Sequence, residues 1–220
     1  MATLIKICGL TTREAVDTAV AAGADMVGFV FFAPSPRHIE LAAAAALIAA
    51  LPDNVLAVAL TVDADDRLID DIAAAGAGLI QAHGRESPAR VAEIAGRSGL
   101  PVMKVVAVSG QGDVAAAMEY SAVAGRLLFD ARPPARATRP GGHGAAFDWH
   151  LVRAYSGPLP WMLSGGLTAE NVAAAIAASG APGVDVSSGV ECEPGVKDPR
   201  LIRRFIAAAR EAELAAGARA

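Results

Sequence analysis

The sequence predicts an α/β protein, a (β/α)8 TIM barrel forming a single domain over residues 1–220, and three observations carry that prediction. Short apolar runs recur eight times: Leu4 to Cys8, Met26 to Phe31, Val55 to Leu60, Gly78 to Gln81, Val102 to Val106, Leu127 to Asp130, Pro160 to Ser164 and Gly183 to Val186. Between them lie segments with apolar residues at three- and four-residue spacing, as at Val16, Ala19 and Val20, and again at Leu201, Ile202, Phe205, Ile206 and Ala209. The length then allows roughly 27 residues per strand–helix unit, a lean version of a fold that typically takes about 250 residues. A doubly wound open sheet is the alternative. It would use fewer strands and a nucleotide-type glycine fingerprint after the first, and Cys8-Gly9-Leu10-Thr11 is not that fingerprint.

The boundaries of the elements carry their own chemistry. Leu4 to Ile7 reads as a buried strand, and Thr11-Thr12-Arg13-Glu14 fits a capping box, with Thr11 as the cap of the first helix. Val55 to Leu60 is apolar on both faces, as a parallel strand covered by helices should be. Ser87-Pro88 and Asp198-Pro199 each place a capping side chain before a proline at the first helical position, where a missing N–H costs nothing. Ala22-Gly23-Ala24, Ala75-Gly76-Ala77 and Ser179-Gly180-Ala181 each set a glycine just before the next strand, suiting a left-handed helix terminus.

Composition narrows the function classes. Hydrophobic residues make up 54% of the chain, yet Pro, Gly or charge interrupts every apolar stretch well before the roughly 20 residues of a membrane span. The N-terminus has no signal-peptide pattern, and Cys8 and Cys192 are too few for a disulfide framework, so a reducing cytoplasm is expected. A formal charge of −4 offers no general attraction to nucleic acid or anionic lipid. The expected partner is a small molecule. No His or Cys pair has metal-ligand spacing, so no metal is expected.

In a barrel of this kind the active site lies at the C-terminal mouth, just after the strands. Ser164-Gly165-Gly166-Leu167-Thr168 follows the seventh strand with bare amides and a helix for which Thr168 is the expected cap. Ser187-Ser188-Gly189 follows the eighth. Phosphate sites in these barrels are commonly built from those two loops, so Gly165, Gly166, Ser187, Ser188 and Gly189 are the candidate phosphate cradle. Taken alone, Gly165-Gly166 is equally a tight strand–helix turn.

Cys8 closes the first strand at the mouth; by itself it could be a small buried apolar residue. Lys6, two residues earlier, points to the same side, and a nearby ammonium favours the thiolate, lowering the pKa from about 8.5 toward neutrality. Cys192, between Glu191 and Glu193, is read as inert. Asp130 ends the sixth apolar run and is either a helix-side cap or an acid poised in the mouth. The long segment Ala131 to Ala146 that follows, with Pro133, Pro134, Pro140 and Gly141-Gly142-His143-Gly144, fits a lid. Arg132, Arg136 and Arg139 are consistent with a solvated face. Arg37, after the stiff Pro34-Ser35-Pro36 turn, suits bidentate capture of a carboxylate at the rim, although an exposed arginine without a partner is as common. His83 fits either a core histidine or a ligand contact, and Asp185 either orients the mouth or packs structurally.

These motifs together resemble a known family. Lys6-Ile7-Cys8-Gly9-Leu10-Thr11, Pro34-Ser35-Pro36-Arg37, Gln81-Ala82-His83-Gly84, Phe129-Asp130, Gly141 to Gly144 with Phe147-Asp148-Trp149, Leu163-Ser164-Gly165-Gly166-Leu167 and Asp185 to Glu191 are similar, in order and over nearly the whole chain, to the motifs of phosphoribosylanthranilate isomerases. The resemblance implies Cys8 as general base, Asp130 as general acid, Arg37 on the anthranilate carboxylate and the last two loops on the phosphate. It implies an Amadori rearrangement of N-(5-phospho-β-ribosyl)anthranilate in tryptophan biosynthesis, without a cofactor, with a phosphosugar as partner and the protein a monomer or homodimer. The sequence departs from the family pattern at Ala82, where leucine is commoner and only packing should change, and at His143 in the lid, where threonine is commoner. Two other readings remain: an isomerase or synthase acting on a different phosphosugar, which an aspartate at position 8 would have favoured, and a catalytically silent phosphate-ligand binder, against which Cys8 and Asp130 together argue.

Overall fold

The computed structural model describes residues 3–133, 137, 140–142, 144 and 146–217, with side chains as far as Ala212. Its strands are β1 (Leu4–Cys8), β2 (Met26–Phe31), β3 (Leu56–Thr61), β4 (Leu79–Ala82), β5 (Val102–Val108), β6 (Arg126–Ala131), β7 (Trp161–Leu163) and β8 (Gly183–Val186). All eight pair in parallel and in sequence order, and β8 returns to β1 with Lys6 opposite Asp185, closing the barrel. The expected strands are therefore the observed ones, shifted by one or two residues at some ends.

The helices are α1 (Arg13–Ala22), α2 (Leu41–Ile48), α3 (Asp66–Ala74), α4 (Pro88–Ser98), α5 (Gln111–Ala116), α6 (Val172–Ser179) and α7 (Pro199–Gly217). No α-helix follows β6 among the described residues. A 3-10 helix over Trp149–Ala154 precedes β7 there, with Asp148 as its cap. A short antiparallel hairpin, β9 (Glu191–Glu193) with β10 (Val196–Lys197), lies between β8 and α7 and has no counterpart in the sequence reading. Among the described residues no helix is long and apolar enough to cross a membrane.

Several caps form as expected. Ser87 accepts from Arg90 N ahead of Pro88 at 3.3 Å, and Gly23 and Gly180 end α1 and α6 in the left-handed region. Two do not. The cap of α1 is Thr12, whose hydroxyl accepts from Ala15 N at 3.3 Å, because the amides of both Gly9 and Leu10 still donate to the Gly28 carbonyl and hold the chain to the barrel one residue longer. After β7, Thr168 caps only a turn, and α6 starts later, at Val172.

Apolar residues fill two layers. The outer core packs the helices onto strand residues such as Ile5, Ile7, Phe29 and Phe129. Inside the barrel, Met26, Val58, Leu79, Met103, Leu128 and Met162 form a plug, and above it Cys8, Val30 and Leu60 make the floor of the mouth. The alternation of strand side chains thus delivers Lys6, Cys8, Gln81, Asp130 and Asp185 to the interior.

Candidate active site

A cavity open to solvent occupies the C-terminal mouth, where the loops after β1, β6, β7 and β8 converge. Cys8 from the end of β1 and Asp130 from β6 both line it. The thiol and the carboxyl group, 122 positions apart in sequence (130 − 8), share one chamber.

Cys8 is buried against a charged network. Lys6, fully enclosed, donates through Nζ to Asp185 Oδ1 at 2.8 Å, and Asp185 Oδ2 accepts from the Ser164 hydroxyl at 3.2 Å. Gly28 makes room for the thiol and the ammonium: a Cβ there would lie 2.8 Å from Cys8 Sγ and 3.2 Å from Lys6 Nζ, which places those two atoms no more than about 6 Å apart. Burial pushes the Cys8 thiol above its ordinary pKa; the Lys6 ammonium pulls it down and the Asp185 carboxylate pushes it up. The lowering expected from Lys6 is therefore present as a contribution but outweighed by desolvation. Lys6 itself, despite burial, is held above the ordinary lysine value by Asp185 and by Cys8.

Asp130 has a neighbour at each carboxylate oxygen. Its Oδ1 accepts from Ala131 N at 2.8 Å, and its Oδ2 lies 3.3 Å from His83 Nε2, off the line of a good hydrogen bond. The Gln81 side-chain amide faces His83 Nδ1 at 3.2 Å, and Nε2 is the ring nitrogen turned toward Asp130. Gly141 presses its backbone on the pair: a Cβ there would come within 2.8 Å of His83 Nε2 and 2.9 Å of Asp130 Oδ2. His83 is thus a mouth residue, not a core one.

The wall after β7 and β8 is made largely of backbone. Gly165 and Gly166 both have positive φ, and a Cβ at Gly165 would stand 2.8 Å from Ala131 N. Gly165, Gly166, Ser187 and Ser188 line the cavity; Gly189 lies behind them, packed so closely on the Leu167 carbonyl that no side chain fits. Ser187 donates to the Cys8 carbonyl at 3.0 Å and so ties the end of β8 to the end of β1.

Arg37 lines the cavity but is not the free rim guanidinium the sequence suggested. Its Nε and Nη2 donate to the two Glu191 carboxylate oxygens at 2.7 and 2.8 Å, and Nη2 also reaches the Gly142 carbonyl at 3.4 Å. Glu191 Oε1 is shared with Lys197 Nζ, at 2.7 Å. Burial would raise the Glu191 pKa, but Arg37 and Lys197 hold it below the ordinary glutamate value, while burial pulls Lys197 below the ordinary lysine value against the attraction of Glu191.

A family model described as N-(5'phosphoribosyl)anthranilate (PRA) isomerase matches residues 5–208. The chain belongs to this isomerase family. It is 58% identical over 214 residues to the N-(5'-phosphoribosyl)anthranilate isomerase of Rhodopseudomonas palustris strain BisB18, covering 97% of this chain and 98% of that one. The relative from Bradyrhizobium sp. strain ORS 278, of the same name, is 56% identical over the same shares. The crystal structure of phosphoribosyl anthranilate isomerase from Thermotoga maritima superposes with a TM-score of 0.85 at 36% identity, covering 95% and 99% of the two chains. A phosphoribosyl anthranilate isomerase solved with reduced 1-(o-carboxyphenylamino)-1-deoxyribulose 5-phosphate superposes at 0.82 and 35% identity, with the same coverage.

Within this family frame, Cys8, Arg37, His83, Asp130, Gly165, Gly166, Asp185, Ser187 and Ser188 all reach one cavity. His143, Arg136 and Arg139 lie outside the described residues, and Arg132 is taken up by Asp113 at the surface, 2.5 Å away. Sequence reasoning missed Gln81, Ser164, Glu191 and Lys197 as site partners. Period-two alternation could have placed Gln81 beside His83, and Ser164 was seen only as a loop residue. Lys197 had no local signal: the unread β9–β10 hairpin brings it to Glu191.

Proposed function

We propose that the chain converts N-(5-phospho-β-D-ribosyl)anthranilate to 1-(2-carboxyphenylamino)-1-deoxy-D-ribulose 5-phosphate, the isomerase step of tryptophan biosynthesis, with Asp130 as general acid and Cys8 as general base. Asp130 gives a proton to the furanose ring oxygen, the C1–O bond breaks, and the nitrogen lone pair forms the iminium. The iminium acidifies C2, Cys8 thiolate removes that proton, and the electrons of the C–H bond neutralise the nitrogen to give the enolamine, which tautomerises to the ketone. Oxidation state is unchanged overall, so no cofactor takes part. Positioned acids and bases contribute typically about 10² to 10⁴ each.

The other residues serve this pair. The backbone of Gly165, Gly166, Ser187 and Ser188, with Gly189 packed behind it, receives the phosphate, Arg37 receives the anthranilate carboxylate, and His83 lies against the Asp130 carboxyl group. Asp185 and Ser164 hold Lys6, whose ammonium favours the thiolate. The reaction takes place in the cytoplasm on a phosphosugar substrate, in a monomer or homodimer of one domain.

The observation that carries this reading is that Cys8 and Asp130 line the same cavity as the two backbone loops after β7 and β8. The test is the decay of anthranilate-type fluorescence when purified protein meets freshly made phosphoribosylanthranilate. Decay catalysed by the wild type and abolished in Cys8→Ala supports the reading; no acceleration by the wild type overturns it.

A further inference from the structure

We propose that Lys197 is a positioning residue for the substrate carboxylate: by neutralising Glu191 it leaves the Arg37–Glu191 pair with one net positive charge toward the cavity. This rests on the reading of Arg37 as the carboxylate partner and adds what makes that arginine usable. Arg37 and Glu191 are bound fork to fork, and such a pair alone is electrically neutral. A second carboxylate brought to it would meet the Glu191 charge as well as the guanidinium. Lys197 removes that obstacle by sharing Glu191 Oε1 at 2.7 Å.

The surroundings of Lys197 require an ammonium. Its Nζ faces the Ser187 carbonyl at 2.9 Å, the Ser187 hydroxyl at 3.1 Å and Glu191 Oε1 at 2.7 Å. The Ser187 hydroxyl proton is already given to the Cys8 carbonyl, so toward Lys197 that oxygen only accepts. Three acceptors take three N–H protons, and only the charged amine has three. Two cations and one anion leave a single positive charge, which one substrate carboxylate matches. The hairpin that carries Lys197 is fitted to the Arg37 loop: at Gly195, with φ +88, a Cβ would collide with the Pro36 carbonyl oxygen. Lys197 therefore joins the turn holding Arg37 to the serine that ties β8 to the Cys8 strand end.

The test uses the full chain and two ligands, reduced 1-(o-carboxyphenylamino)-1-deoxyribulose 5-phosphate and its phenylamino counterpart without the carboxyl group. The dissociation constant of the phenylamino ligand divided by that of the carboxylate ligand, by calorimetry, reads carboxylate preference free of turnover. Lys197→Met should lower that ratio about tenfold or more. Lys197→Arg should keep it, and the double variant Glu191→Gln/Lys197→Met should regain it, because the net charge toward the cavity is again one. A ratio unchanged in Lys197→Met but collapsed in Arg37→Ala overturns this inference and leaves the Arg37 reading standing. A ratio unchanged in Arg37→Ala overturns both. Should Lys197→Met fail to fold, the double variant decides: a ratio near that of wild type supports the inference, and a tenfold loss overturns it.

Discussion

Lys6 Nζ lies 2.8 Å from Asp185 Oδ1, enclosed where β8 closes onto β1, and the two residues face each other in the register of that pairing. Breaking a buried pair from one side leaves an uncompensated charge. Lys6→Met should therefore cost about 3–5 kcal/mol in urea unfolding, and Lys6→Met/Asp185→Asn should recover most of it. Equal stability of the single and double variants would contradict a charge-based cost.

The pH dependence of the thiol follows from its burial. Cys8 should react with iodoacetamide only above the ordinary thiol range, and removing the Lys6 cation should move that limb further into alkali. The folded state binds the thiol proton more tightly than the unfolded chain does, so this stability contribution is full below the ordinary thiol pKa and is lost as pH rises through the folded value. Denaturation curves of Cys8→Ala should lack that alkaline loss.

Asp130→Asn should fold like the wild type yet lose about 10² or more in kcat, read by the fluorescence decay together with circular dichroism. Its carboxyl group accepts from the Ala131 amide and lies against the His83 ring at the mouth, and it makes no ion pair with a lysine or arginine among the described residues, so the fold has little use for the charge. Near-normal turnover would remove it as the acid.

At Gly28 the issue is space. Gly28→Ala would drive a methyl group to 2.8 Å from Cys8 Sγ and 3.1 Å from Cys8 Cα, and the closed barrel wall gives little room to retreat. A loss of about 1–3 kcal/mol is expected, with a larger proportional fall in kcat because the thiol itself is displaced. Unchanged kinetics would show that the thiol position is not critical.

Arg37→Ala should mainly raise KM, since in the proposed reaction the guanidinium holds a part of the substrate remote from the reacting carbons. It also strips Glu191 of two hydrogen bonds, so a modest stability loss should accompany it. A fall in kcat at constant KM would place Arg37 in the chemistry instead.

Much of the barrel was legible because its signals are local. Apolar runs mark strands, Ser87-Pro88 marks a helix start, and glycine at 23 and 180 marks helix ends, each within a few residues of chain. The misplaced caps at Thr11 and Thr168 show where local reading stops: the amides of Gly9 and Leu10 were already committed to Gly28, and Asn171 intervened after Thr168. The absence of an α-helix after β6 among the described residues has the same character, since the segment's length suggested a lid and gave no sign of the 3-10 helix over Trp149–Ala154.

By itself the sequence determined the eight-strand order, the mouth as the candidate site, and the residue types that line its cavity: a thiol, a carboxyl group, glycine-rich loops and an arginine. Which charges those groups carry was decided only by the closed structure. Burial raised the thiol that a neighbouring lysine was expected to lower, and a hairpin brought Lys197 and Glu191 onto an arginine more than 150 positions away. Desolvation and ion pairing depend on what surrounds an atom in space, and a linear chain specifies those surroundings only once the barrel has closed.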